Sequence, residues 1–360
     1  MKKNKIVVFI TVMLVLLLTI SLASCTPKNE PVAPAPDTGQ TEEATTPEPA
    51  PDNSGSGDTL KFLLVSKIAG IPYYDRAFAG AEQAGKDLGV EVVCTGPVDA
   101  SATGQVKIIE DALAQGYAGI GVAANDEQAF VPIFTKAREM GIVTTDWDSP
   151  VDQSVVDYSM LNVADYEYAI QFIEELVAAM GPEGEYVIIT GGLNATNLNT
   201  WIDIGEKYRE ENYPGLKLVT DKIPTDERAD VAYQKANDVL AAYPNLKGII
   251  TQGSPVLPAV GQALVDAGRE DLALVGNTTP NAVNDLVKAG VVNACLMWDP
   301  ADAAYTAVYV MKAVIEGTPI TDGMKLDFMM GTSPIKVDGK VIVCNDPINF
   351  TPDNIDNYDF

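Results

Sequence analysis

From residue 59 onwards, short apolar runs alternate along the chain with longer stretches in which apolar residues recur every three or four positions. The runs are about six residues long, which is the usual length of a strand. They show little alternation of apolar and polar residues, as is typical of strands that are covered on both faces. The pattern therefore predicts repeated β-α units built around parallel sheets.

The apolar runs predict strands at 60–66, 90–95, 118–124, 141–147, 185–190, 216–221, 247–251, 272–276 and 294–298. The stretches between them predict helices that include 74–88, 103–115, 127–140, 166–180, 228–243, 256–267 and 301–316. One compact sheet with short crossovers does not accommodate so many strands. We therefore expect an α/β fold with two doubly wound parallel-sheet lobes.

Residues 1–24 have the pattern of a targeting segment. Lysines at the start precede an uncharged apolar run over 6–22, and the sequence Leu-Ala-Ser-Cys ends at Cys25. This looks like a bacterial lipoprotein signal, in which Cys25 would carry the lipid. A transmembrane anchor is the alternative, because the run has about the minimal length for a membrane span.

Residues 25–58 are expected to form a disordered tether behind the lipidated Cys25. They contain seven prolines among Thr, Glu, Asp, Ser and Gly, and almost no large apolar side chains. Such a segment cannot bury enough surface to fold. Lipid and tether together predict an extracytoplasmic protein that is held at the bacterial cell membrane.

The chain is strongly acidic and contains no histidine. Its 360 residues carry a formal net charge of −26, which argues against nucleic acid as a partner. The lack of histidine excludes a Ser-His-Asp triad, a Cys-His dyad and any histidine-ligated metal. Cys94, Cys295 and Cys344 are expected to be buried free thiols, although a bridge from Cys344 to either of the others remains open.

Polar residues collect after the predicted strands, at the sheet edge where α/β proteins bind ligands. Hydrogen-bonding groups follow six strands, in the segments 66–67 (SK), 146–149 (DWDS), 194–201 (NATNLNTW), 252–254 (QGS), 277–279 (NTT) and 298–299 (WD). Between two lobes these ends would face one cleft. Amides, carboxylates and aromatic faces with few positive charges suit a neutral polyhydroxylated ligand.

Asp148 follows the predicted strand 141–147 and has two interpretations. It could accept hydrogen bonds from two ligand hydroxyls, or it could only cap the turn that ends at Pro150. The five other polar strand ends favour the binding interpretation. Asp146, two positions earlier on the same strand face, is expected to be a structural or rim carboxylate.

The pair Asp146 and Asp148 also raises a catalytic alternative. Two positions along a strand separate the Cα atoms by about 6.6 Å, within the range of glycosidase carboxyl groups. Both side chains leave the strand on the same side, however, and cannot attack opposite faces of a sugar ring. We therefore expect a binding protein without catalytic residues, and a secreted glycoside hydrolase is the remote alternative.

Eight segments carry the motifs of one family, namely 67–90, 96–97, 104–117, 147–149, 196–201, 279–281, 298–299 and 352–360. With these motifs, residues 59–360 resemble the sugar-type solute-binding proteins of ABC importers, which have the ribose-binding, type I periplasmic-binding-protein-like fold. Within that family they are most similar to the autoinducer-2-binding and rhamnose-binding subgroup. The resemblance implies a monomer that requires no metal or organic cofactor.

The resemblance also implies contacts with the ligand. Lys67 matches the family lysine after the first strand, and Asp148 matches the ligand-binding aspartate. Tyr73 and Tyr74 stand where the family has paired phenylalanines, and Trp298 falls at a binding position of the last crossover. Together with polar strand ends, the candidate ligand-binding residues are Lys67, Tyr73, Tyr74, Asp148, Asn197, Asn199, Gln252, Ser254, Asn277 and Trp298.

Four positions depart from the autoinducer-2 pattern. Such receptors typically have Asp-Gln at the positions of Asn197 and Leu198, and Pro-x-Ala at 252–254. Asn197 and Asn199 instead resemble the TNxNxW pattern of rhamnose-binding relatives. The resemblance therefore leaves autoinducer-2, a deoxyhexose and a pentose open as ligands.

The family's chain crosses between its lobes three times, and we place these crossings near Asn162, Asp299 and Gly331. Lobe one is then 59–162 with 299–330, and lobe two is 163–298 with 331–360. The implied mechanism is hinge closure around the ligand, after which the closed form docks on an ABC permease. A ligand-sensing subunit for a signalling receptor, without transport, is the alternative.

Overall fold

The computed structural model describes residues 59–326 and 334–360, and in them it shows two α/β lobes that each surround one mainly parallel sheet. The predicted fold class is therefore confirmed. The segments 1–24 and 25–58, with Cys25, lie outside the described residues, as does Gly331. In the described part of the chain, every helix is too short or too polar to cross a membrane.

All nine predicted strands correspond to observed ones, and the structure adds five short strands. The strands are β1 Lys61–Val65, β2 Glu91–Thr95, β3 Gly119–Val122, β4 Val143–Trp147, β5 Tyr158–Leu161, β6 Gly184–Thr190, β7 Leu216–Leu218, β8 Ile223–Pro224, β9 Leu246–Thr251, β10 Ala273–Gly276, β11 Ala294–Met297, β12 Lys336–Asp338, β13 Val341–Val343 and β14 Ile348–Phe350. The helices are α1 Pro72–Leu88, α2 Ala102–Ala112, α3 Val131–Glu139, α4 Asp165–Met180, α5 Thr196–Asn212, α6 Ala229–Ala242, α7 Val256–Ala267, α8 Pro280–Lys288 and α9 Pro300–Glu316.

The sheet of the first lobe has the strand order β12-β13-β5-β4-β3-β1-β2. Strands β1 to β5 and β13 are parallel, and β12 is antiparallel at one edge. The pairing of β13 with β5 corrects the predicted division of the chain, because it places 336–343 in the first lobe instead of the second. These two strands have only three residues each, too few to give a recognisable apolar run.

The sheet of the second lobe has the order β14-β11-β10-β9-β6-β7, and β8 pairs with β6. Strand β14 is antiparallel to β11, so the chain enters this lobe for the last time between β13 and β14. That crossing lies between Val343 and Ile348 and not near Gly331. The other two crossings follow β5 at Asn162 and β11 at Asp299, where the chain passes into α4 and α9.

Asp299 fixes the second crossing to the first lobe. Its carboxylate accepts a hydrogen bond from the Ala301 amide and so caps the N-terminus of α9. The same carboxylate also forms a bidentate ion pair with Arg76 of α1, whose Nε and Nη2 atoms donate to it at 2.8 and 2.5 Å. Bidentate pairs of this kind hold both partners in a defined orientation.

Helices α1 and α9 pack against each other at very short range. Gly80 lies in the interior of α1, directly against the backbone of Ala301, and an added Cβ atom would overlap the carbonyl group of that residue. Buried alanines continue this contact along both helices, among them Ala77, Ala81 and Ala304. The glycine is therefore required by the close approach of the two backbones.

The three described cysteines are free thiols, as expected, and neither of the bridges to Cys344 that the sequence left open is formed. Cys295 and Cys344 are buried, and Cys94 is partly buried. Burial raises the pKa of each thiol to about 12, so all three stay protonated and unreactive at neutral pH.

Replacing Gly80 by alanine is expected to lower the free energy of unfolding by about 1–3 kcal/mol, because the new methyl group overlaps the backbone of Ala301. The matched control is Gly205→Ala in α5, where the added Cβ would meet its nearest neighbour, the Ala169 carbonyl oxygen, at 3.4 Å. There the helix propensity of alanine should add about 0.5–1 kcal/mol. Urea unfolding followed by circular dichroism measures both changes, and similar effects at the two positions would contradict a tight α1–α9 contact.

Candidate ligand-binding site

A pocket lies between the lobes, at the carboxyl ends of the strands of both sheets. Eight of the ten predicted binding residues line it, namely Lys67, Tyr73, Tyr74, Asp148, Asn197, Ser254, Asn277 and Trp298. The first four come from lobe one, and the other four come from lobe two or from the crossing after β11. The strand ends thus meet as parallel α/β sheets require.

Asp148 occupies a strained position directly after β4. Its backbone is left-handed, with φ 66°, and only 5% of the residue is exposed. The carboxylate accepts hydrogen bonds from Tyr73 Oη at 2.6 Å, Tyr74 Oη at 2.9 Å and Asn162 Nδ2 at 2.8 Å. A carboxylate has about four acceptor positions, so protein donors already fill most of them. Asp148 is therefore more than a simple turn cap, and it keeps about one acceptor position for a ligand hydroxyl.

Tyr73 links Asp148 to the second crossing. Its hydroxyl accepts hydrogen bonds from Trp298 Nε1 at 3.1 Å and from Asn162 Nδ2 at 3.3 Å while it donates to Asp148. Burial, and then the charge of Asp148, raise the pKa of both Tyr73 and Tyr74 well above the ordinary value. Both hydroxyls therefore remain protonated and able to donate.

Lys67 and Asn197 join the two lobes directly. Lys67 follows β1 and is 3% exposed, and its Nζ donates to Asn197 Oδ1 at 2.7 Å. Asn197 lies in the first turn of α5, and its Nδ2 donates to the carbonyl oxygen of Asp148 at 3.3 Å. The space left between these groups is about 30 Å³, room for a water molecule or two. A solute the size of a monosaccharide therefore enters only when the lobes separate.

The second lobe supplies a polar edge and an aromatic wall. Ser254 Oγ lies 3.1 Å from Thr278 Oγ1, and Asn277 Oδ1 accepts from the Gly253 amide at 3.0 Å. The indole rings of Trp201 and Trp298 meet edge to face, with centroids 5.7 Å apart. Such a wall covers apolar ligand surface without supplying charge.

Two predicted residues do not reach the pocket. Asn199 donates to the carbonyl oxygens of Leu193 and Ala195, at 2.6 and 2.9 Å, and accepts from Lys222. It is two positions after Asn197 on a helix, so the two side chains face different directions. Gln252 is 1% exposed and points into the interior of the second lobe.

Glu227 lines the pocket from the loop before α6 and was not among the residues predicted from the sequence. It follows β8, a strand of two residues that carries no apolar run. The polar end of that strand was therefore not counted among the others. The three consecutive charged residues from Asp226 to Arg228 are the signal that marks this loop in the sequence.

Asp146 is structural, as expected. Its carboxylate accepts from Ser159 Oγ at 2.6 Å and from the Val151 amide at 2.9 Å, and it does not line the pocket. Complete burial raises its pKa to about 7. It holds the chain after β4 against β5, and this positions Asp148 two residues later.

Tyr73→Phe is expected to lower the free energy of unfolding more than Tyr74→Phe. The Tyr74 variant loses one hydrogen bond to a buried carboxylate, about 1.5–3 kcal/mol. The Tyr73 variant loses an equivalent bond and also leaves the Trp298 indole without its acceptor, so its loss should be larger by about 1 kcal/mol or more. Chemical denaturation of the two single variants and the double variant measures this, and equal losses would contradict a central position for Tyr73.

The model of the periplasmic binding protein domain family matches residues 62–319 of this chain. Over 264 residues the chain is 27% identical to the D-allose-binding periplasmic protein of Escherichia coli K12, covering 70% of this chain and 83% of that protein. Over 237 residues it is 25% identical to the D-apiose import binding protein of Actinobacillus succinogenes, covering 65% and 76%.

Solved structures share the fold of this chain. A solute-binding protein of an ABC transporter from Clostridium phytofermentas, with bound L-rhamnose, has a TM-score of 0.78 at 24% identity and covers 84% of this chain and 99% of its own. LsrB from Clostridium saccharobutylicum in complex with AI-2 has a TM-score of 0.77 at 23% identity and covers 84% and 100%. The curated relatives are named for binding and not for catalysis, which agrees with the expectation of a non-enzyme. With its family match, its two-lobed fold and its pocket between the lobes, the chain belongs to the periplasmic binding protein domain family.

Proposed function

We propose that this protein is the extracytoplasmic solute-binding lipoprotein of a sugar ABC importer, and that it binds a small neutral polyhydroxylated solute between its lobes. The observation that carries the proposal is the direct hydrogen bond from Lys67 of one lobe to Asn197 of the other, inside a buried pocket. The names of the relatives, which bind D-allose or import D-apiose, support a sugar. The structures with L-rhamnose and AI-2 support ligands of similar size and polarity.

The chemistry of the pocket favours hydroxyl groups. Lys67 offers donors, whereas Asn197 and Asn277 offer amides that can both donate and accept. Trp201 and Trp298 cover the apolar C–H surface of a ring. A sugar between the lobes would exchange the bond between Lys67 and Asn197 for bonds to its own hydroxyls.

Closure follows from this arrangement, since a solute that contacts both lobes favours the closed state over the open one. The closed monomer would then dock on ABC permease subunits and release the solute to them. A lipid on Cys25 and the tether to residue 58 would keep the protein close to that permease. No metal or organic cofactor takes part in this mechanism.

A thermal-shift panel on the full chain tests the proposed function. The panel holds L-rhamnose, D-allose, D-ribose, D-arabinose and autoinducer-2 precursor with and without borate. A sugar at a concentration of about a hundred times its dissociation constant should raise the free energy of unfolding by about 2.7 kcal/mol. A shift with autoinducer-2 alone would show that the ligand is a signal molecule and not a nutrient sugar. The absence of any shift would contradict the proposal.

Asn197→Ala is expected to weaken binding of the panel sugar that gives the largest shift by about tenfold or more, because it removes a buried hydrogen-bonding amide from the pocket. Asn199→Ala is the matched control on the same helix, and it should change the affinity by less than about twofold. Isothermal titration calorimetry measures both. An equal loss in the two variants would contradict the assignment of Asn197 as the binding residue.

A further inference from the structure

Glu227 is a buried carboxylate without a partner. The residue is 9% exposed, and its side chain forms no hydrogen bond or ion pair with any residue that the structure describes. Burial raises the pKa of its carboxyl group, and the nearby Lys67 lowers it only in part. Buried carboxylates are normally hydrogen-bonded or paired. The exception at Glu227 therefore requires an explanation.

The backbone holds this carboxylate in place at a conformational cost. Asp226 and Glu227 are both left-handed, with φ 52° and 57°, a conformation that residues with side chains rarely adopt. The amides of Thr225 and Asp226 donate to the Gly191 carbonyl oxygen at 3.0 and 3.2 Å and fix the loop at the end of β6. Two successive strained residues thus direct Glu227 inwards.

Two glycines leave the space that the carboxylate occupies. A Cβ atom on Gly191 would lie 2.5 Å from Glu227 Oε1, and one on Gly253 would lie 2.9 Å from Oε2. Both distances are shorter than real Cβ atoms allow, so larger residues at either position would displace the carboxylate. The ends of β6 and β9 are therefore shaped around it.

The other charged groups of the pocket are already engaged. Three protein donors surround the carboxylate of Asp148, and Lys67 donates to Asn197. Glu227 keeps its acceptor positions open, and it also lines a larger cavity of about 380 Å³ that adjoins the pocket. Its carboxylate is thus buried but can be reached from the cleft.

We propose that Glu227, whose acceptor positions are open, is a carboxylate that accepts hydrogen bonds from the ligand. This inference rests on the proposed function and specifies it further. The pocket then holds two carboxylates against one lysine, so the ligand presents neighbouring hydroxyl groups to Glu227. Uronic acids and sugar phosphates are disfavoured, because their negative charge would face the carboxylates of Glu227 and Asp148.

The first experiment needs no ligand and compares Glu227→Gln with Asp226→Asn. Asp226 is the matched control, because it has the same backbone conformation but is exposed and does not line the pocket. At pH 8 the Glu227 variant should melt a few degrees above the wild type, since it removes an unpartnered buried charge. The Asp226 variant should melt within about a degree of the wild type.

The stability gain of Glu227→Gln should shrink as the pH falls. Lys67, Asp148 and Asp226 are the charged groups that act on Glu227, and its folded-state pKa is raised above the unfolded value. The wild type therefore gains stability when Glu227 takes up a proton, and this brings it closer to the variant. A Glu227 variant that melts at or below the wild-type temperature at pH 8 would overturn the inference, because the carboxylate would then have protein partners.

The second experiment uses calorimetry to measure how the full chain binds the panel sugar that gives the largest thermal shift. Glu227→Gln should lower the affinity for that sugar by about tenfold or more. Asp226→Asn should change the affinity by less than about twofold. D-galacturonate and ribose 5-phosphate should not bind to the wild type. Unchanged affinity in the Glu227 variant, or tight binding of either anion, would overturn the inference. If the wild type binds nothing in the thermal-shift panel, the proposed function is contradicted, and the melting experiment alone decides whether Glu227 has partners.

Discussion

The burial of one charged group, the carboxylate of Asp148, organises the centre of this protein. Because a carboxylate away from water requires hydrogen-bond donors, the fold brings three of them to this point from α1 and from the first crossing. Tyr73 extends the network to Trp298 at the second crossing. The wall of the pocket and two of the three chain crossings are therefore held by the same set of hydrogen bonds.

The sequence was sufficient for the fold because long apolar runs and amphipathic stretches repeat in a regular order. All nine predicted strands exist, and eight of the ten predicted binding residues meet at one pocket. The third crossing was placed wrongly because β12 and β13 are only three residues long, and their membership of the first sheet depends on pairing with a distant strand. Such pairing leaves no local signal in the sequence.

The errors at the site arise from side-chain direction and from local backbone conformation. Asn197 and Asn199 look equivalent in the sequence, but a helix turns them to different sides, and only Asn197 meets Lys67. Gln252 and Ser254 flank Gly253, whose φ of 105° turns the chain so that only Ser254 faces the pocket. Glu227 escaped notice because its strand has two residues and its loop has an uncommon backbone conformation. Composition and periodicity describe neither property.

In the proposed function, a ligand would compete with the hydrogen bond between Lys67 and Asn197. A hydrogen bond to a charged group is worth about 1.5–3 kcal/mol, which corresponds to about a ten- to hundredfold change in an equilibrium constant. A solute that hydrogen-bonds to only one of the two side chains would lose that free energy when the lobes close around it. A solute that hydrogen-bonds to both side chains would not. In the proposed function, the bond between the lobes would therefore discriminate against small solutes that have too few polar groups to reach both partners.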